Sequence, residues 1–151
     1  MTNNGYTLIE LVLVIVLIGV LSISAIPKLF NPTSFTERFY YDEVKAVLRL
    51  AQKLSVASGC DTEVITTANS MSIAQRTACA NIGSFDVNIR TINIENDNVI
   101  LTTILNEFPI YFDALGRAVN STSNLVANSS IDVNTRTINI VGVTGLIYDA
   151  D

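Results

Sequence analysis

Glu10 is the residue of this chain whose setting most needs a chemical explanation. It is the only charged side chain between residues 6 and 26, a stretch that is otherwise almost entirely apolar. A carboxylate carried to the centre of a bilayer costs roughly 2.5–3.5 kcal/mol, so a retained one is a functional-site hypothesis by default. We therefore expect Glu10 to have a cationic partner; the alternative is a carboxylate that lies at the lipid headgroups.

Other side chains that support catalysis are sparse. The chain has no histidine, which is the commonest general base and transition-metal ligand. The carboxylates Asp61, Glu63, Asp113 and Asp132 are the candidates for an enzyme, but their spacing joins them to no nucleophile. No glycine-rich phosphate loop is present in the sequence. We expect no catalytic centre, no metal site and no cofactor, and a membrane-anchored periplasmic enzyme is the remote alternative.

Two cysteines, Cys60 and Cys79, form an even pair, which outside the cytoplasm indicates one disulfide. The β-branched stretch at 62–75 predicts a hairpin. If Asn69 and Ser70 are its two loop residues, Cys60 lies opposite Cys79, within reach of a disulfide. Such a bond closes a loop of about 20 residues and contributes roughly 3 kcal/mol to stability. Two free thiols are the alternative.

The apolar run at residues 6–26 is long enough to be a membrane-span candidate. It exceeds the apolar core of a cleavable secretory signal, and no small-x-small cleavage site directly follows it, so a retained anchor is the better interpretation. A helix is predicted over residues 6–30. Gly19 and Pro27 are its weak points, because glycine lowers helix propensity and proline removes a backbone donor.

A second, amphipathic helix is predicted from residue 34 to residue 58. The sequence Asn31-Pro32-Thr33 interrupts the first helix, and Ser34-Phe35-Thr36-Glu37 has the spacing of a capping box that starts the second. Its apolar stripe is formed by Tyr40, Val44, Val47, Leu48, Ala51 and Leu54. The basic residues Lys28, Arg38, Lys45, Arg49 and Lys53 are interpreted as a solvated face, with a docking patch as the alternative.

Period-2 alternation predicts strands in the rest of the chain. Residues 86–94 nearly repeat as residues 132–140, which we interpret as convergence on a good strand pattern, with duplication as the alternative. Residues 113–116 are a turn signal, and the Asn- and Ser-rich residues 120–130 predict an exposed loop. Further strands are predicted at Val99–Leu105, Pro109–Phe112 and 143–148. The fold class is α+β: a long N-terminal helix, interrupted near residues 27–33, packs on an antiparallel sheet.

The N-terminal residues resemble the leader of a type IV prepilin or a type II secretion pseudopilin. The resemblance lies in Gly5, the aromatic Tyr6, the sequence Thr7-Leu8-Ile9-Glu10-Leu11 and an apolar run that reaches Pro27. Residues 51–60 and 111–116 further resemble minor pilins with a GspH/FimT-type domain, among them a minor pilin of the mannose-sensitive haemagglutinin pilus. The chain departs from the pattern in one respect, because Met1 to Gly5 carry no Lys or Arg.

The resemblance implies roles for individual residues. A prepilin peptidase would cut between Gly5 and Tyr6 and methylate the new Tyr6 amine, and Glu10 of one subunit would pair with that amine on its neighbour. Residues 1–5 would then be the leader, residues 6–30 a transmembrane and filament-core helix that yields at Gly19 and Pro27, and residues 31–151 a pilin domain with its sheet at 60–148.

The function implied is that of a minor pilin with a role in pilus assembly and surface attachment, and a pseudopilin is the alternative. The partners would be other pilin subunits, the prepilin peptidase, the inner-membrane assembly platform and a surface or glycan receptor. The chain would be a single-pass inner-membrane protein with a periplasmic domain, and would later join an extracellular pilus or a periplasmic pseudopilus. The net charge of −5 argues against nucleic acid as a partner.

Overall fold

The computed structural model describes residues 7–29, 32–77, 79, 83–96, 98–103 and 107–150. The chain divides into two compact units, Met1–Phe35 and Thr36–Asp151. Helix α1 spans Leu8–Leu29 and helix α2 spans Pro32–Ser58, and both are followed by the strands.

The strands of the described residues form two antiparallel sheets. A five-stranded sheet has the order β3-β2-β1-β5-β6, and a four-stranded sheet has the order β4-β7-β8-β9. This arrangement confirms the predicted α+β class. The strands are β1 Thr62–Thr66, β2 Ser70–Gln75, β3 Val87–Asn93, β4 Leu101–Thr103, β5 Ile110–Phe112, β6 Ala118–Asn120, β7 Ser129–Val133, β8 Arg136–Ile140 and β9 Ile147–Asp149.

The two helices lie closer together in the sequence than expected. Helix α1 includes Pro27, and α2 begins at Pro32, two residues before the predicted capping box. Proline is tolerated in the first turn of a helix because its missing N–H would have no intrahelical partner there. Only Phe30 and Asn31 remain between the helices, and both lie outside the described residues.

Helix α2 supplies one side of the hydrophobic core. Its buried stripe contains Val44, Val47, Leu48 and Ala51, as predicted, and these side chains are at most 1% exposed. They form one cluster with side chains of both sheets, among them Val64, Met71, Ile73, Ile110, Phe112, Ile131, Val133, Ile138 and Ile140. A single cluster joins the helix to both sheets, so the residues after the first unit share one core.

The two ends of the stripe were predicted incorrectly. Tyr41 is buried, whereas Tyr40 is half-buried and packs on the edge of the core. At the other end Leu54 is half-buried and Ser55 is fully buried. The Ser55 hydroxyl donates to the Gln52 carbonyl at 2.8 Å, so its burial leaves no unpaired donor.

The predicted hairpin of β1 and β2 is present, but its turn lies one residue earlier. Thr66 pairs with Met71, and the Thr67 N–H donates to the Ser70 carbonyl at 2.8 Å. The two loop residues are therefore Ala68 and Asn69. Moving the turn by one residue moves each cross-strand partner by two, so the same side chains still face the core.

The two copies of the nine-residue repeat adopt different structures. The first copy forms β3, with a bulge at Ile89 between the pairs that Asn88 and Arg90 make with β2. The second copy folds back on itself. Val133 pairs with Arg136 across a two-residue turn in which Asn134 has a φ of 55°. Asparagine tolerates this left-handed conformation, so the prediction of one continuous strand at 132–140 is wrong.

The segment at residues 120–130 is less exposed than predicted. Asn120 ends the unpredicted strand β6 and is buried, and so is Ser130 in β7. The Asn120 side-chain oxygen accepts from two following backbone N–H groups, both at 2.9 Å. The Ser130 N–H donates to the Glu107 carboxylate at 2.7 Å. Polar side chains of this kind can be buried because they bond the backbone locally.

Candidate functional site

Thr7 places Glu10 in the first turn of α1. The Glu10 N–H donates to the Thr7 carbonyl at 3.1 Å and to the Thr7 hydroxyl at 3.3 Å, so Thr7 caps the helix. A carboxylate at this position is favoured by the helix dipole, typically by 0.3–1 kcal/mol. Among the described residues the Glu10 carboxylate itself has neither a hydrogen bond nor an ion pair.

Apart from Glu10 and Ser22, the described surface of α1 is apolar on all sides. Its described side chains are all exposed, and the large apolar ones range from 41% exposed at Val12 to 81% at Leu8. They are Leu8, Ile9, Leu11, Val12, Leu13, Val14, Ile15, Val16, Leu17, Ile18, Val20 and Leu21. The polar Ser22 is satisfied within the helix, because its hydroxyl donates to the Ile18 carbonyl at 2.7 Å. A monomeric soluble protein rarely leaves such a surface uncovered.

Within the part of the chain that the structure describes, no helix is both long enough and apolar enough to cross a membrane.

The other residues predicted at the N-terminal site are only partly within the described chain. Gly5 and Tyr6 lie outside the described residues. Gly19 and Pro27 both lie inside α1, which is helical from Leu8 to Leu29. A Cβ atom built on Gly19 meets nothing within 4 Å, so packing inside this chain does not require a glycine there.

Cys60 and Cys79 are joined in a disulfide, as predicted. Their Cα atoms are 4.6 Å apart. The bond lies beyond the paired part of the β1–β2 hairpin, since the observed register places residue 77, and not Cys79, directly across from Cys60. The disulfide therefore ties the end of α2 to the segment after β2.

The four candidate carboxylates of an enzyme are not brought to one place. Asp61 and Asp113 line the same cleft. Glu63 accepts from the Ser121 hydroxyl at 3.0 Å, and Asp132 accepts from the Thr137 hydroxyl at 2.6 Å. Both of these are structural hydrogen bonds. Among the described residues no group of three or more His, Cys, Asp or Glu side chains is arranged to hold a metal ion.

The cleft lies where three strands of the five-stranded sheet end. Asp61 precedes β1, Arg76 follows β2 and Asp113 follows β5, and the register of the sheet makes these ends neighbours. Tyr111 and Arg117 complete its polar lining. The volume of the cleft is about 390 Å³.

The charges in this cleft form two ion pairs that differ in the distance between their charged atoms. Asp113 and Arg117 are in close contact at 2.6 Å, while the Asp61 carboxylate lies 3.8 Å from the Arg76 Nε. Burial raises the pKa of Asp61, and the Arg76 guanidinium opposes that rise. Burial likewise raises the pKa of the Tyr111 hydroxyl. The Arg76 guanidinium also lies 4.4 Å from the centre of the Phe85 ring.

Three residues of the cleft were not predicted from the sequence: Arg76, Tyr111 and Arg117. Arg76 could have been found from the correct hairpin register, because that register places residue 76 directly across from Asp61. The signal for Arg117 is its position four residues after Asp113, across a turn closed by the Asp113 N–H and the Arg117 carbonyl at 3.0 Å. Tyr111 faces the cleft from β5, and nothing in the sequence separates it from other strand tyrosines.

Comparison with known proteins matches both parts of the chain. Residues 1–26 match the family model of the prokaryotic N-terminal methylation motif. No curated protein matches the chain. Two crystal structures of the type IV minor pilin FimU from Pseudomonas aeruginosa are similar in fold. One is 16% identical with a TM-score of 0.56, covering 73% of this chain and 89% of that chain. The other is 19% identical with a TM-score of 0.59, covering 78% and 92%.

At these identities the structural similarity establishes the fold. The motif matches the same N-terminal residues from which the resemblance was inferred, and Glu10 lies within it. The narrower assignment to the mannose-sensitive haemagglutinin pilus stays a prediction. The chain thus carries the prokaryotic N-terminal methylation motif on a type IV pilin fold, which confirms its resemblance to the type IV pilins.

Proposed function

We propose that this chain is a minor pilin subunit that is incorporated in, or primes, a type IV pilus and acts in pilus assembly and surface attachment. The observation that carries the proposal is the surface of α1. Its described apolar side chains are exposed, and its one carboxylate, Glu10, has no partner in the described part of the chain. Such a surface is stable only when lipid or other helices cover it.

Processing of the leader is the first step. A prepilin peptidase cuts after Gly5, where the absence of a side chain lets the enzyme approach the backbone closely. The same enzyme methylates the new amine of Tyr6, which keeps its positive charge. The match of residues 1–26 to the N-terminal methylation motif supports this step.

Glu10 sets the position of each subunit in the fibre. In a bundle of apolar helices its carboxylate is costly unless it is paired, and the Tyr6 amine of a neighbouring subunit is the cation that every processed subunit supplies. Breaking a buried charge pair by removing one partner costs about 3–5 kcal/mol. Positions along the fibre axis that leave Glu10 unpaired are disfavoured by a similar amount.

Before assembly, residues 6–30 anchor the chain in the inner membrane and the domain at residues 31–151 lies in the periplasm. The apolar sequence from Leu11 to Ile26 supports the anchor, and the disulfide suits an oxidising compartment. On assembly the helix leaves lipid for other pilin helices, and Gly19 and Pro27 let it bend or melt locally. The assembly platform carries out this transfer, and the chain has no catalytic role.

The mature N-terminus tests the proposal. Mass spectrometry of the chain from cells with an active prepilin peptidase should find that it begins at methylated Tyr6. Gly5→Leu should leave it unprocessed. Gly19→Leu is the matched control and should be processed normally, because a side chain at Gly19 meets nothing within 4 Å. A wild-type chain that keeps Met1 in these cells would overturn the proposal.

The same cells separate a pilus subunit from a pseudopilin. We expect the processed chain in the fibres that shearing removes from the cell surface. A processed chain that stays in the periplasm and is required for secretion of soluble proteins would identify a type II secretion pseudopilin instead.

A further inference from the structure

We propose that the cleft lined by Asp61, Arg76, Tyr111, Asp113 and Arg117 binds a neutral saccharide. This inference rests on the surface-attachment part of the proposed function, for which it supplies a site and a class of ligand. The cleft opens at one end of the five-stranded sheet, beside the segment that carries Asn124 and Val126. Its volume of about 390 Å³ falls in the range of roughly 300–1,000 Å³ that is usual for ligand sites.

Among the described residues, no donor makes a hydrogen bond to the Asp61 carboxylate in the cleft. Its side chain is only 12% exposed and accepts no hydrogen bond from the described residues. The nearest cationic atom, the Arg76 Nε, is 3.8 Å away, which is too far for a hydrogen bond, and it has no acceptor of its own. A carboxylate in this condition is stabilised by any ligand that brings hydroxyl donors.

Asp113 is not available to a ligand in the same way. One of its oxygens accepts from the backbone N–H groups of Leu115 at 3.0 Å and Arg117 at 2.9 Å. The other accepts from the Arg117 Nε at 2.7 Å. Asp113 therefore holds the turn, and Asp61 is the acceptor left for a ligand.

The charge balance of the cleft selects a neutral ligand. Two carboxylates face two guanidiniums, so the formal charges cancel. A phosphate or sulfate would meet the carboxylate of Asp61, and a metal ion or amine would meet the guanidinium of Arg76. Hydroxyl groups both donate and accept, so a polyhydroxyl compound can bond the carboxylate without an unpaired charge.

Apolar surface beside these polar groups distinguishes a sugar from a simple polyol. Val119 and Val126 line the cleft together with the Tyr111 ring, whose hydroxyl lies 3.3 Å from the Asn124 side-chain oxygen. The C–H face of a sugar ring packs on an aromatic or aliphatic wall while its hydroxyls reach Asp61. The ring of Tyr111 also contacts Phe85 at 6.1 Å between centroids, which holds the wall in place.

A glycan array tests this site with the full chain in phosphatidylcholine nanodiscs, which contain no glycosidic detergent. The array presents neutral, sialylated and sulfated oligosaccharides. We expect binding to be confined to neutral oligosaccharides, to fall at least tenfold in Asp61→Ala and to fall less in Asp61→Asn. Asp42→Ala removes an exposed carboxylate of α2 and should bind as the wild type does.

The thermal midpoint of each variant shows that it is folded. Absence of binding to every neutral oligosaccharide on the array, binding that is equal for sulfated and neutral glycans, or unchanged binding by a folded Asp61→Ala variant would each overturn the inference. If Asp61→Ala fails to fold, Asp61→Asn replaces it and must weaken binding while keeping the wild-type midpoint. These results are independent of leader processing and fibre formation, so the site can fail while the assembly proposal stands.

Discussion

Helices α1 and α2 follow one another in the chain but differ in the burial of their apolar side chains. In α2 the apolar residues form a stripe, and Val44 and Leu48 at its centre are completely buried within the same chain. In α1 the apolar residues surround the helix, and the described ones are at least 41% exposed. The polar residues differ as well. Lys45 of α2 is paired with Asp149, whereas the Glu10 carboxylate of α1 has no partner among the described residues.

The difference shows where each helix gets its stability. Fully burying one large aliphatic side chain contributes about 1.5–3 kcal/mol, and α2 obtains this from the two sheets. The described apolar side chains of helix α1 are exposed and gain no comparable burial from the described residues. The assembly proposal therefore depends on α1 and not on the folded domain.

A pair of leucine substitutions tests this difference and has the largest expected effect on stability. Leu48→Ala should destabilise the domain by about 2–5 kcal/mol, because it leaves a cavity in the core. Leu17→Ala removes the same atoms from α1, where the side chain is exposed, and should leave the domain unchanged. Chemical unfolding of the two variants in the same lipid or detergent measures both effects. Equal losses of stability would show that α1 is buried by its own chain.

Removing the disulfide tests whether the stability of the domain is independent of the N-terminal segment. The double variant Cys60→Ser, Cys79→Ser removes a cross-link between residues that are 19 positions apart in the sequence. It should lower the free energy of unfolding by about 3 kcal/mol. Its thermal midpoint should fall by about 10 °C or more for a domain of this size. Cleavage after Gly5 and retention in the membrane should be unchanged, because both depend on the N-terminal segment. Failure of processing in a folded double variant would contradict this separation.

The smallest expected effect is at Asp149 of β9, where Lys45 and Tyr41 of α2 bond its carboxylate. Hydrogen bonds from Lys45 and then from Tyr41 lower the pKa of Asp149 below its ordinary value of 3.8. This stabilisation is therefore present above about pH 3.8 and is lost as the pH falls through the lowered pKa. Asp149→Asn should remove that part of the acid dependence of the thermal midpoint. Asp42→Asn is the matched control, and an equal change in both variants would show that Asp149 has no special role.

The same Tyr41 is sensitive to alkali. Burial, followed by the hydrogen bond to Asp149, raises the pKa of Tyr41 from 10.0 to about 12. The protonated phenol is thus favoured in the folded domain, and its contribution is complete below pH 10 and lost between pH 10 and 12. Tyr41→Phe should flatten the thermal midpoint in that interval, and an unchanged alkaline profile would contradict the assignment.

The elements with strong local patterns could be predicted from the sequence. The spacing of Val44, Val47, Leu48 and Ala51 fixed the buried face of α2, and an even pair of cysteines around a β-branched stretch was sufficient for the disulfide. The α+β class followed from the same patterns. These features depend on periodicity and composition, which are local properties of a sequence.

The features that depend on tertiary pairing could not be predicted. Residues 86–94 and 132–140 have nearly the same letters. The second copy contains the end of β7, turns at Asn134 and pairs with itself through β8, while the first copy pairs with β2. The cleft was missed for the same reason, since its charges meet only when three strand ends are aligned. The register error of the first hairpin hid the pairing of Asp61 with Arg76.

Incorporation of Glu10 variants into sheared fibres tests the central claim most directly. Quantitative mass spectrometry compares the chain in the fibre fraction with the chain in the inner membrane for wild type, Glu10→Ala and the control Asp42→Ala. We predict that Glu10→Ala is processed at Tyr6 and accumulates in the membrane at the wild-type level, but is at least tenfold depleted from the fibres, while Asp42→Ala matches the wild type. Wild-type incorporation of Glu10→Ala would contradict the account.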